Sequence, residues 1–240
     1  MTATTGPVPA PEDGTARPTP STPHVTPVRP ATPEALIAAY RRGEFAMADG
    51  ETGELEWRDP DPRAILPLDG IRVARRLARV ERAGRFAIRV DTDFAAVLRA
   101  CAKPRPGSKE VWIDTRLARA FTRLHELGVA HSVEAWRDGA LVGGLFGVRL
   151  GAAFFGESMF HRAELGGRDA SKVCLVRLVE GLVAGGFELL DVQYLTPHLA
   201  SLGCVEIPRR DYLERLGRAL RAAADWRLAA HHLGRRRQRP

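Results

Sequence analysis

Cysteine is scarce. Cys101, Cys174 and Cys204 are the only three, far apart, with no CxxC pair and no Cys/His cluster. That excludes a disulfide framework and a zinc site of the usual spacing, and it leaves buried free thiols as the reading. Long apolar runs are missing too. No stretch reaches the roughly 20 uninterrupted apolar residues of a membrane-spanning helix, and the first thirty residues lack the apolar centre of a signal peptide. A cytoplasmic location is therefore expected. Lysine is rare, and nearly every basic residue is Arg. Aromatic residues make up only 7%, but 45% hydrophobic and 27% charged residues over 240 positions is globular composition. A wholly disordered or fibrous chain is excluded, and the length allows one or two cored domains.

Charge is unevenly placed. The net charge is +7, and residues 209–240 alone hold ten Arg against three acidic residues, so the first 208 positions balance. The run Arg235-Arg236-Arg237 suits a polyanion, and equally a merely solvating tail. Residues 1–31 are rich in Pro and Thr with hardly an apolar run, which predicts a disordered extension.

Order is expected to begin at Thr32-Pro33-Glu34, with Thr as N-cap, Pro at the first helical position, an apolar stripe of Leu36, Ile37 and Tyr40, and Gly43 as the stop. Trp57 and Ala64-Ile65-Leu66 read as small strands around the loop Asp59-Pro60-Asp61-Pro62-Arg63. From Ile71 to Arg82 the residues Arg72, Arg75, Arg76, Arg79 and Arg82 fall at helical spacings opposite Ile71, Ala74, Leu77 and Ala78. Such a face is commonly just solvated, but five arginines over about three turns also suit phosphates.

Beyond residue 85 the pattern is mixed. Phe86–Val90 reads as a strand, Asp93–Ala102 as a helix, and Thr115–Leu127 as a helix capped near Asp114 and stopped at Gly128. A hairpin joins His131–Trp136 to Ala140–Arg149 at Asp138-Gly139. Then come a strand Ala152–Phe155, a helix Ala170–Ala184, a buried strand Glu188–Val192, a short helix from Thr196-Pro197 to Gly203, and a last helix from Pro208 to about Leu220. This order predicts an α/β (α+β) fold with a single mixed sheet and helices on both faces.

Several strings then stand in one order: Tyr40-Arg41-Arg42-Gly43, Asp59-Pro60-Asp61-Pro62-Arg63-Ala64, His125-Glu126-Leu127-Gly128, His131-Ser132-Val133-Glu134, Leu141-Val142-Gly143-Gly144, Phe155-Gly156-Glu157-Ser158-Met159-Phe160, Ala170-Ser171-Lys172 and His198-Leu199-Ala200-Ser201-Leu202-Gly203. Over about Thr32 to Leu216 the chain resembles the leucyl/phenylalanyl-tRNA-protein transferases. The resemblance implies a small N-terminal domain, over 32–85 with the basic helix, and a GCN5-related N-acetyltransferase-like catalytic domain over 86–220; composition adds the disordered extension over 1–31 and a basic tail over 221–240. It implies transfer of Leu, Phe or Met from aminoacyl-tRNA to proteins with N-terminal Arg or Lys, which marks them for degradation, with no cofactor and no metal.

The chemistry is compatible with what the chain contains. An aminoacyl ester is already activated, so transfer needs a positioned neutral amine and stabilisation of the tetrahedral oxyanion, not a protein nucleophile. Asp191 and Gln193 lie two apart in a strand, so both side chains leave one face. The resemblance places them at the reaction centre, with Asp191 polarising Gln193, Gln193 orienting the attacking α-amine, and Glu157 binding the cationic side chain or amine of the acceptor. It also places Leu145, Leu178 and Leu182 in the donor side-chain pocket, Ser158 among the substrate-binding residues and Trp112 on the terminal adenosine, while the basic stripe Arg72, Arg75, Arg76, Arg79 and Arg82 is, by its spacing, the candidate for tRNA. Read without the resemblance, Asp191 is a strand-end Asp binding backbone N–H groups, Glu157 belongs to a surface pair, the leucines are core, and Trp112 is an interface anchor.

Three departures stand out. After Gly43 many members continue Phe-Pro-Trp-Phe, whereas this chain reads Glu44-Phe45-Ala46-Met47-Ala48, without the Pro and the Trp. The stretch 163–168 is longer than usual, and the polybasic end after Arg221 lies outside the resemblance. Two other functions fit the same fold class: an acyl-CoA-dependent N-acyltransferase and a noncatalytic tRNA-binding protein. The first lacks an Arg/Gln-x-x-Gly-x-Gly/Ala segment for a pyrophosphate. The second has no use for Glu157, Asp191 and Gln193 together.

Overall fold

The computed structural model describes residues 30–50, 52–104 and 111–234. The predicted disordered stretch, except for its last two residues, and the run Arg235–Arg237 lie outside them. The chain opens with α1 (Pro33–Arg42), where the Thr32 hydroxyl accepts from the Ala35 N–H at 3.1 Å and Gly43 ends the helix at φ 83°. There follow β1 (Phe45–Ala48), β2 (Leu55–Arg58), β3 (Arg63–Ile65), α2 (Arg75–Arg82), β4 (Ala87–Val90), α3 (Phe94–Cys101), α4 (Thr115–Glu126), β5 (Ala130–Arg137), β6 (Ala140–Leu150), β7 (Ala153–His161), α5 (Ala170–Ala184), β8 (Leu189–Gln193), α6 (Pro197–Ser201), β9 (Val205–Ile207), α7 (Arg209–Arg221) and α8 (Trp226–Gly234).

Seven strands form one sheet in the order β4-β5-β6-β7-β8-β3-β9. β7 and β8 run parallel, and their other neighbours pair antiparallel. Apolar side chains line both faces of this sheet. On one face α1, α3, α4 and α7 bury Tyr40, Phe94, Phe121 and Tyr212 against Phe146, Val148 and Phe155. On the other, α2, α5 and α8 bury Leu77, Leu178 and Trp226 against Val133, Leu145 and Phe154. The mixed α/β architecture with helices on both faces is as expected.

Details differ. The described residues form two sheets, not one, because β1 and β2 make a separate antiparallel pair, with Phe45 opposite Arg58 and Ala48 opposite Leu55. The short string Phe-Ala-Met-Ala carries no strand periodicity, and its structure comes from packing under α1 and α4. The basic helix begins at Arg75, so Arg72 precedes it: its N–H donates to the Leu202 carbonyl at 2.8 Å, holding residues 71–74 extended. β7 continues six residues past Phe155, so Glu157 and Ser158 lie inside a strand. β3, from the segment expected as an N-terminal domain, is seated between β8 and β9 of the large sheet. Within the segment expected as a basic tail, α8 stacks Trp226 on Phe154 at 5.6 Å and on His131 at 4.2 Å. All three cysteines are buried free thiols.

Candidate active site

The parallel ladder between β7 and β8 is short. It pairs Ala153 with Leu189, Phe154 with Leu190 and Phe155 with Asp191, and there it stops. Beyond that point β7 stays with β6 and β8 with β3. Both strands are irregular at this level. Phe146 faces Ser158 and Gly147 faces Gly156, so Glu157 is an extra residue without a partner opposite. Ala64 faces Gln193 and Ile65 faces Asp191, so Val192 is extra in the same way. A bulge bends its strand and re-aims the neighbouring side chains, and it is a common device beside functional sites. Gln193 ends β8 at φ 59°, a left-handed conformation costly for a residue with a side chain.

Asp191 lies at the centre with 0% exposure. Arg63 donates to its Oδ1 through Nε at 3.0 Å and to its Oδ2 through Nη2 at 2.7 Å, a two-pronged contact. The Tyr212 hydroxyl donates to Oδ2 at 2.7 Å, and the Gln193 backbone N–H donates to Oδ1 at 2.9 Å. The carboxylate thus holds Gln193 in its left-handed conformation. Arg63 is also fully buried, sandwiched between the rings of Phe45 and Tyr212 at 4.8 and 4.7 Å, and it donates through Nη1 to the Gly43 carbonyl. Burial opposes its charge, but the Asp191 carboxylate outweighs that and raises its pKa. Burial, then the charge of Asp191, raises the Tyr212 phenol well above its ordinary value.

Glu157 sits across the split, half-buried. The Gln193 side-chain amide donates through Nε2 to Glu157 Oε1 at 3.4 Å, a long contact that bridges the two strands. Loss of hydration pushes the Glu157 carboxyl up to about 8. Asp191 adds to the rise, whereas Tyr40 and Arg63 oppose it. Tyr40, 1% exposed, packs its ring on Phe155 at 4.7 Å. Its hydroxyl is electrostatically coupled to Glu157 yet makes no hydrogen bond of ordinary geometry. Burial first, and Glu157 second, hold that phenol well above its usual range, so it remains a donor.

The structure therefore brings Glu157, Asp191 and Gln193 together, with one change of role. Asp191 bonds the backbone of Gln193, not its amide; the amide faces Glu157. Leu145, Leu178 and Leu182 lie together in the core under α5, on the sheet face opposite α1 and α7. Trp112 is half-buried, edge-on to Phe121 at 6.5 Å, and its carbonyl accepts from the Ala48 N–H at the end of β1. Ser158 is half-buried on β7. Arg75, Arg76, Arg79 and Arg82 are exposed along α2, as is Arg72 just before it, and Arg76 is ion-paired with Asp169 at 2.7 Å. Sequence reasoning assigned no role to Arg63 or Tyr212 and took Tyr40 as part of an apolar stripe. The available signal was an Arg directly before the apolar run Ala64-Ile65-Leu66, where a charge is out of place unless it is paired.

The family model described as Leucyl/phenylalanyl-tRNA protein transferase matches residues 65–217. A protein of Rhodopseudomonas palustris (strain HaA2) named leucyl/phenylalanyl-tRNA–protein transferase is 52% identical over 194 residues, covering 80% of this chain and 85% of its own. Proteins of the same name from Nitrobacter winogradskyi and Phenylobacterium zucineum are 52% and 53% identical over 196 and 192 residues, with 81% and 80% of this chain covered and 85% of each relative. A ribosomal-protein-alanine N-acetyltransferase from Brucella melitensis biovar Abortus 2308 is similar at a TM-score of 0.34 and 19% identity, over 58% of this chain and 94% of that one, too distant to carry an argument. The matched residues contain the whole Glu157–Asp191–Gln193 cluster together with Tyr212, and the chain belongs to the leucyl/phenylalanyl-tRNA protein transferase family.

Proposed function

We propose that this protein transfers Leu, Phe or Met from aminoacyl-tRNA to the α-amine of proteins with an N-terminal Arg or Lys, marking them for degradation in the cytoplasm. The observation that carries this reading is the meeting of a strained Gln193 amide and a half-buried Glu157 carboxyl where the β7–β8 ladder ends, in a chain of this family. Such a place suits an amine nucleophile. The ester is activated already, and the site's work is to hold the amine in line and stabilise the oxyanion.

Each residue then has a task. Asp191 fixes the Gln193 backbone, the Gln193 amide orients the incoming amine, and Glu157 receives its cationic end. Leu145, Leu178 and Leu182, with Ser158, serve the donor side chain, and Trp112 stacks on the terminal adenosine. Arg72, Arg75, Arg76, Arg79 and Arg82 approach the tRNA phosphates. Leu-, Phe- and Met-tRNA, each offered with peptides ending in Arg, Lys, Ala or Glu, test the reading. Transfer is expected to the Arg and Lys peptides. Equal transfer to all four peptides overturns the acceptor assignment. Transfer from acetyl-CoA but not from charged tRNA would make the protein an acyl-CoA-dependent enzyme, and tRNA binding without any transfer would make it a binding module.

A further inference from the structure

An acceptor α-amine arrives mostly protonated near neutral pH and must lose a proton before it attacks. Two carboxyl groups stand at the site, and their surroundings separate them. Asp191 has no exposure, and four donors from Arg63, Tyr212 and the Gln193 backbone engage its two oxygens. It offers no free lone pair on an accessible edge. Glu157 is half-buried and stands on a bulge at the open end of the ladder. Its hydrogen bond from Gln193 is long, at 3.4 Å. The charged and titratable groups that face it are Tyr40 of α1, Asp191 of β8 and Arg63 of β3. Among these, the buried Tyr40 hydroxyl has no hydrogen-bond partner among the described residues, and Glu157 is the group to which it is most strongly coupled.

We propose that Glu157 takes the proton from the acceptor's α-ammonium, with Tyr40 as its positioning residue, while Asp191, its oxygens engaged by four donors, has a structural part. The inference rests on the transferase reading above. In the step, one proton passes from the ammonium to Glu157 and the freed amine attacks the aminoacyl carbonyl. The N–C bond forms, the ester C–O bond to the ribose breaks, and the second amine proton goes to the departing ribose oxygen. Glu157 returns its proton to water, so the sum is amide, free tRNA and one released proton. The Glu157 carboxyl, raised to about 8, lies in the range of an N-terminal amine at ~7.7–8.0, so a proton can pass between the two groups near neutral pH. Loss of hydration raises the Glu157 carboxyl, and an entering cation opposes that rise and favours the ionised form that accepts the proton.

The test is the pH dependence of kcat and KM, measured separately for the wild type, Glu157→Gln and Tyr40→Phe with an Arg-ended peptide. For Glu157→Gln, kcat at pH 7 should fall by roughly 10²-fold and then recover about tenfold per pH unit up to the amine pKa, where solvent has already taken the proton. For Tyr40→Phe, the acid limb of kcat/KM should move to higher pH, because the hydroxyl is one of the groups that hold the Glu157 carboxyl down. A rise in KM at unchanged kcat would make Glu157 a binding group only and overturn the proposal, as would a loss of kcat equal at every pH. Infrared titration of the resting enzyme gives an independent reading: a protonated carboxyl band lost near pH 8 in the wild type and absent from Glu157→Gln is expected, and no such band overturns it. Failure of the wild type to transfer to any peptide is a different result, and it refutes the function, not this assignment.

Discussion

A carboxylate without water survives in an interior only where donors replace the water, and Asp191 has them from three directions. The consequence is asymmetric. Asp191→Asn leaves the Arg63 guanidinium buried between two rings without its counter-charge, a loss of about 3–5 kcal/mol. Tyr212→Phe removes one hydrogen bond to a charged group, a loss of about 1.5–3 kcal/mol. Urea denaturation should show both, with the larger drop in midpoint for Asp191→Asn. A wild-type midpoint in Asp191→Asn would show that the buried pair does not hold the fold. Loss of transfer in that variant is therefore to be read beside its stability. Asp191 stood out only through the family resemblance, since its two-residue spacing from Gln193 alone reads as an ordinary strand end, and its partners were not legible. Arg63 lies 128 residues away, after a Pro-rich loop that reads as surface, and no local pattern records a tertiary contact at that range.

At the scale of elements, boundaries written in short-range chemistry were readable. Thr32, Asp114 and Thr196 each cap a helix by accepting backbone N–H groups, and Asp138-Gly139 turns the hairpin with φ of 50° and 79°. The bulges at Glu157 and Val192 were not, since they arise from strand pairing and have no composition of their own. α2 shows the same divide. Its arginines were visible, but Arg76 is engaged: it and Lys172 hold Asp169, the residue before α5, at φ 69°. Arg79 and Arg82 are exposed on the same helix. If α2 carries the tRNA backbone, Arg79→Glu with Arg82→Glu should weaken binding of any tRNA and lower the salt slope by about one unit per lost phosphate contact. An unchanged slope in the double variant would leave α2 as a solvated face. Arg76→Glu is the poorer probe, because it would also repel Asp169.

Across the described residues, the first and last helices cover opposite faces of the large sheet. Tyr40 of the first helix and Tyr212 of the seventh share one face of the sheet, and Trp226 of the last helix closes the other. Gly181 on α5 lets α8 approach closely: a Cβ there would stand 2.7 Å from Leu233 and 2.9 Å from the Ala229 carbonyl. The Arg177 guanidinium donates to the last carbonyls of α8, at 3.1 and 2.9 Å. The basic composition of this end, set by Arg221, Arg227 and the run Arg235-Arg236-Arg237, suggested a solvated tail, although Trp226–Gly234 itself is mostly apolar with a single Arg.

The long reach between Arg63 and Asp191 has a consequence for the order of events during folding. Closing a loop of that span is entropically slow, and the ion pair is rewarding only after the intervening strands are in place. The site is then among the last features to form and has no existence in a partly folded chain. Activity and global structure are expected to vanish at the same urea concentration, as a cooperative unit would require. Transfer lost well before the backbone signal changes would mean that the site opens as a separate, weaker unit.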